Sequence, residues 1–204
     1  MSGDKPYEDP ITAALLGDSH YERLRVGRYA LFKQPLSRKL IWQSVIFATL
    51  ALVLPLTLTL PASTQMLFSS DDLLWATPKI LLLGVYAVAI VSTSALALTY
   101  VGYRRVKADD ELSEREACKL LDIEDVASVV SLVTGVLAVA IVVGTFLLGL
   151  GGEAAMSLFL SAGGENPFAP TRMPVSVLGV GLSTTALAVV FFLASRLFDQ
   201  RLSA

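Results

Sequence analysis

Long uncharged apolar stretches alternate with short charged ones along this chain. Four windows, 40–70, 80–103, 126–152 and 173–195, contain no Asp, Glu, Lys or Arg. Pro61 cuts the first, leaving 40–60. A bilayer-spanning helix needs about 18 or more consecutive residues with few or no charges, and each window supplies them. In lipid every backbone N–H and C=O must be satisfied within the segment, which makes these runs helices. A membrane barrel would show apolar–polar alternation at period two instead. The pattern predicts an all-α, polytopic integral membrane protein with four transmembrane helices at about 40–60, 80–103, 126–150 and 174–195. Residues 1–38 form an N-terminal segment, 39–196 the four-helix membrane domain, and 197–204 a tail. The connections are an outer loop at 61–79, a cytoplasmic loop at 104–125 and an outer loop at 151–173.

The flanks carry local signals of their own. Asp9-Pro10 opens a short helix that Gly17 ends, and Ser19 with Glu22 forms a capping box for a second helix over about 20–33. Tyr21, Leu24 and Leu31 share one side of it, which predicts an amphipathic helix lying in the interface of an anionic bilayer. Pro55 kinks the first span, and Thr57 and Thr59 are expected to take up the freed carbonyls. In the middle loop an acidic run, 109–111, precedes a capping box of Ser113 and Glu116. That box starts a short helix with Ala117, Leu120 and Leu121 on one face. The acids Asp122, Glu124 and Asp125 then fall at the start of the third span, where the macrodipole favours negative charge. Residues 154–160 are apolar but too few to span, and either re-enter the membrane or lie flat on its outer surface.

Composition narrows the class. The chain has 204 residues, 54% hydrophobic and 17% charged, below the roughly 25% charge of a soluble domain. A formal net charge of −2 does not suggest a nucleic-acid partner. One cysteine, Cys118, excludes an intrachain disulfide, and one histidine, His20, leaves too few ligands for a His- or Cys-based metal site. The first 39 residues are polar with seven Lys/Arg, unlike a cleavable signal. Basic residues are asymmetric: fourteen fall on the N-terminal segment, middle loop and C-terminus, against Lys79 and Arg172 in the two outer loops. The positive-inside rule therefore places both termini in the cytoplasm. Trp42, Tyr100, Tyr103 and Trp75 fall at span ends, where amphipathic rings prefer the headgroup zone. The Ala/Leu/Val-rich spans without long appended domains point to a prokaryotic cytoplasmic (inner) membrane.

Ser92-Thr93-Ser94-Ala95-Leu96-Ala97 in the second span resembles Ser183-Thr184-Thr185-Ala186-Leu187-Ala188 in the fourth, at an offset of 91 residues, with Arg105 and Arg196 equally spaced after them. The same offset overlays the first span on the third, as in two tandem helical hairpins related by an axis along the membrane normal. Ala140 with Gly144, and Gly179, Gly181 and Ser183, give small-residue spacings that let helices approach or subunits meet. The triplets Ser92, Thr93, Ser94 and Ser183, Thr184, Thr185 are the densest polar clusters in the spans. They would line a path only if both faced one cavity. No charged residue is expected deep in a span, which argues against proton relays and voltage sensors. No metal, nucleophile, phosphate-loop or cofactor motif is present, so no catalytic, cofactor-binding or metal residues are assigned. The expected role is a non-catalytic accessory, scaffold or interaction subunit of a membrane assembly, its partners being the bilayer and either a second membrane protein or further copies of itself. The alternative is a small homo-oligomeric channel or carrier for a neutral or weakly charged solute.

Overall fold

The computed structural model describes residues 34–70, 72–107 and 113–202. The two N-terminal helices, the capping box of Ser19 and Glu22, His20 and the acidic run 109–111 lie outside the described residues. Those described contain no strand, and four helices are long and apolar enough to cross a membrane: Leu36–Leu58, Ile80–Lys107, Glu114–Leu150 and Val177–Arg201. The chain is an all-α, four-span membrane protein.

The first span is two pieces, α1 (Leu36–Ala51) and α2 (Val53–Leu58), broken at Leu52. Pro55 has no N–H to offer the carbonyl four residues back, and its ring crowds that turn. The Leu52 N–H accordingly bonds Thr49, three residues back, at 3.2 Å. The threonines do not repair the gap as the sequence led us to expect. Thr57 Oγ1 donates to the Val53 carbonyl at 2.7 Å and Thr59 Oγ1 to those of Pro55 and Leu56, so neither reaches Ala51. After the four-residue α3 (Ala62–Gln65) and an irregular stretch, α4 (Ile80–Lys107) forms the second span.

The third span differs most from expectation. The Ser113–Glu116 capping box is present, with Ser113 Oγ accepting from the Glu116 N–H and Glu116 reaching back to the Ser113 N–H. The helix it starts does not stop before the membrane. α5 (Glu114–Val130) passes through a π-helical turn at Ser131–Gly135 into α6 (Val136–Leu150). These 37 residues rise about 55 Å at 1.5 Å each, well beyond a hydrocarbon core of about 30 Å. The first turns of α5 therefore project past the apolar layer. Asp122, Glu124 and Asp125 sit in mid-helix rather than at a helix start, and the macrodipole does not account for them.

At the far end of α6 the chain turns at Gly151 and Gly152. Gly152 has φ +65°, which a residue with a Cβ adopts at a steric cost. The turn leads into α7 (Gly152–Ser161), which packs on α3 and the end of α6. Met156 is buried, while Leu158 and Phe159 are exposed. This is the apolar 154–160 segment, and it lies beside the bundle end. The fourth span, α8 (Val177–Leu202), starts later than expected and runs through most of the tail. Ser176 Oγ accepts from the Gly179 N–H at 3.1 Å, one of the four orphan donors of a helix start. The connection between the first and second spans pairs with that between the third and fourth across the bundle end. Lys79 N–H bonds the Ala169 carbonyl and Thr171 N–H that of Thr77, both at 2.8 Å, and Phe168 stacks on Phe68 and meets Phe146 edge-on.

α1 packs most extensively against α8, with Phe47 stacked on Phe191 at 5.7 Å. α4 lies against α1, α8 and the whole third span. Lipid gives helices no hydrophobic drive to associate, so close van der Waals approach decides the contacts. Two glycines permit it. A Cβ on Gly135 would stand 2.5 Å from Val91 Cγ2, and one on Gly102 would stand 2.7 Å from Leu36 Cδ2.

Candidate functional site

The first and third spans meet along a buried polar seam. Lys39 and Gln43 are one turn apart on α1. Glu124, Ser128 and Ser131 recur at i, i+4 and i+7 on the third span, which places them on one helix face. Lys39 Nζ lies 2.8 Å from Glu124 Oε1, with side chains only 4% and 3% exposed. Asp125 Oδ1 stands farther off, at 4.0 Å and more open to solvent. One turn deeper, Gln43 Nε2 donates to Ser131 Oγ at 2.6 Å, and Ser131 Oγ donates to the Ala127 carbonyl at 2.8 Å. Ser128 Oγ donates to the Glu124 carbonyl at 2.6 Å. Gln43 is 1% exposed, and its Oε1 is buried without a hydrogen-bond partner.

Charges in this setting are costly to bury unless paired. The seam joins residues 85 and 88 positions apart in sequence and ties the first span to the third at a fixed register. The π-turn begins at Ser131 itself. Single π-turns inside α-helices recur at functional sites; here the turn carries the Gln43 contact and the glycine that seats Val91. Sequence reasoning missed the seam. Its signal was Lys39 and Gln43 at i, i+4 facing Glu124, Ser128 and Ser131 at matching spacing.

The residues singled out from the sequence are dispersed. Of the small-residue set, Gly181 is buried against Leu54, whose Cβ stands 2.8 Å from where a glycine Cβ would sit. Ala140, Gly144, Gly179 and Ser183 are exposed, and a Cβ on Gly144 would meet nothing within 4 Å. In the two hydroxyl triplets, Ser94 and Thr184 turn inward, Thr93, Ser183 and Thr185 are exposed, and Ser92 is half-buried. Thr93, Ser183, Thr184 and Thr185 each donate to a carbonyl of their own helix three or four residues back. Thr93 and Ser94 line an open groove of about 420 Å³ whose other wall is α5; residues 183–185 take no part in it. The two matched stretches also turn different positions inward, the third of the triplet in α4 and the second in α8. Arg105 is buried, whereas Arg196 is exposed with its guanidinium 5.3 Å from the centre of the Phe192 ring. Trp42, Trp75, Tyr100 and Tyr103 are all exposed.

Among the described residues, no group of three or more His, Cys, Asp or Glu is placed to hold a metal ion. Comparison with protein-family models, curated proteins and solved structures finds no match to this chain.

Proposed function

We propose that this protein is a non-catalytic accessory or interaction subunit of a membrane assembly, seated in a prokaryotic cytoplasmic membrane with both termini inside. The carrying observation is the state of the Ser/Thr triplets. A channel or carrier built on them needs both in one wet cavity. Instead, Thr93 and all three hydroxyls of residues 183–185 are engaged by their own helices, and the groove that Thr93 and Ser94 line does not include the other triplet. A hydroxyl bonded to its own helix carbonyl is satisfied locally and leaves the helix surface free to pack. The clamp of Lys39 on Glu124 supports a rigid scaffold rather than rocking halves. The outward side of α6 offers a seat for a partner helix. Leu137, Ile141 and Leu147 stand exposed around the open notch at Ala140 and Gly144, and small residues let a neighbouring backbone approach.

The test is purification of the tagged, full-length protein from its native membrane in a gentle detergent, with composition read by mass analysis. The expected result is a stoichiometric second membrane protein, retained when Ser183 and Thr184 are both changed to Ala and lost with Gly144→Leu. A pure homo-oligomer whose liposomes pass small neutral solutes, with flux falling in Ser183→Ala and Thr184→Ala, would overturn the reading in favour of a channel.

A further inference from the structure

α4 and α5 run antiparallel and present two facing stripes to the membrane. On α4 the stripe is Thr93, Ala97, Tyr100 and Arg104, at helical spacing. On α5 it is Val130, Val126, Ile123 and Lys119. Each passes from apolar or hydroxyl residues to a cation at the same end of the bundle. Between them lie the groove of about 420 Å³ and, directly above it, a second hollow of about 230 Å³ lined by Tyr100, Arg104, Glu116 and Lys119. Ile123 lines both, so the two adjoin. From Arg104 to Thr93 the groove descends about 16 Å at 1.5 Å per residue, half of a hydrocarbon core of about 30 Å. It thus matches one leaflet in depth, apolar below and charged at the headgroup level.

We propose that this groove holds one phospholipid, an acyl chain lying between α4 and α5, and that its head carries both a phosphate and a primary ammonium. The charges at the upper end are of both signs. Arg104 and Glu116 lie 3.3 Å apart and part-exposed. Lys119 is exposed on the same rim, and exposed Asp122 belongs to the groove wall. A phosphate beside Lys119 and Arg104 gains two cationic neighbours, and basic pockets between membrane helices are recurrent sites for lipid heads. The two carboxylates oppose a head with net negative charge and no amine. An ethanolamine-type ammonium can donate hydrogen bonds to them. A choline head has the charge but no N–H to donate.

The test uses full-length protein in detergent, titrated with an equimolar mixture of phosphatidylethanolamine, phosphatidylglycerol and phosphatidylcholine of identical chains, with bound lipid read by native mass spectrometry. Ethanolamine lipid is expected to exceed each of the others about fivefold, the scale of one exposed ion pair, here between the ammonium and a carboxylate. Val126→Trp, which fills the groove from an exposed position, is expected to remove the bound lipid, whereas Ile141→Trp on the outward face of α6 leaves it. Glu116→Gln, which keeps the helix cap, removes the preference while the protein elutes unchanged, whereas Lys119→Ala weakens binding of all three lipids alike. Equal binding of the three lipids, an excess of phosphatidylglycerol, or full binding by a folded Val126→Trp variant would each overturn the proposal. So would a second copy of the chain found cross-linked through Val126.

Discussion

The Lys39–Glu124 pair is where single residues matter most. Both side chains are almost wholly withdrawn from solvent, so removing one takes from the other its nearest buried counter-charge. Breaking such a pair costs about 3–5 kcal/mol, whereas replacing both partners by apolar residues of similar volume is often neutral or stabilising. Lys39→Ala and Glu124→Ala are each expected to lower the unfolding midpoint in detergent strongly, while Lys39→Met with Glu124→Leu stays near the parent. Equal losses in the double and single variants would show that the pair does not act as a unit. At this scale the sequence was least legible. Lys39 was visible as one of several basic residues before the first span, and Glu124 as one of three acids before the third. A count of charges along the chain does not reveal which two turn inward, because that depends on how the first and third spans rotate against each other. Asp125, adjacent to Glu124, stays half-exposed for the same reason.

Among the elements, the third span decides the architecture. Its apolar stretch and its capping box were both legible, because each is a local property of sequence. Their fusion into one helix was not. Residues 122–125 read as the start of a new helix, yet nothing in them forces a break from the helix before. They carry no Gly or Pro, and Glu124 finds its partner across the bundle. The π-turn was equally invisible. It places Gly135 against Val91, where a Cβ would come within 2.5 Å of Val91 Cγ2. Val91 is itself buried, so it has little room to yield. Gly135→Ala is therefore expected to destabilise by about 1–3 kcal/mol, the usual cost of overpacking. Val91→Ala in the same chain should recover much of that loss despite being destabilising alone. A double-mutant cycle on thermal midpoints measures the coupling, and simple additivity of the two losses would refute the contact.

For the whole molecule, the four-span architecture followed from charge-free windows alone, while sidedness rests on the distribution of Lys and Arg. The structure adds geometry to that distribution. One end of the bundle carries Lys39, Arg104 and Lys119; the other carries α3, α7 and the paired segments around Thr77 and Thr171. Cys118, the chain's one cysteine, lies on α5 near the basic end and is partly exposed, which makes it a native reporter. If that end is cytoplasmic, a membrane-impermeant maleimide added to intact cells leaves Cys118 unlabelled and modifies it only after the membrane is opened. Ser161, at the end of α7, is exposed at the opposite end. Ser161→Cys in a Cys118→Ser background should therefore react in intact cells without permeabilisation. The two reporters bracket the bilayer, so their reactivities must reverse together. Labelling of Cys118 from outside, with Ser161→Cys protected, would invert the molecule in its membrane. It would also place the Arg104–Lys119 hollow, and the lipid head it is proposed to hold, in the outer leaflet.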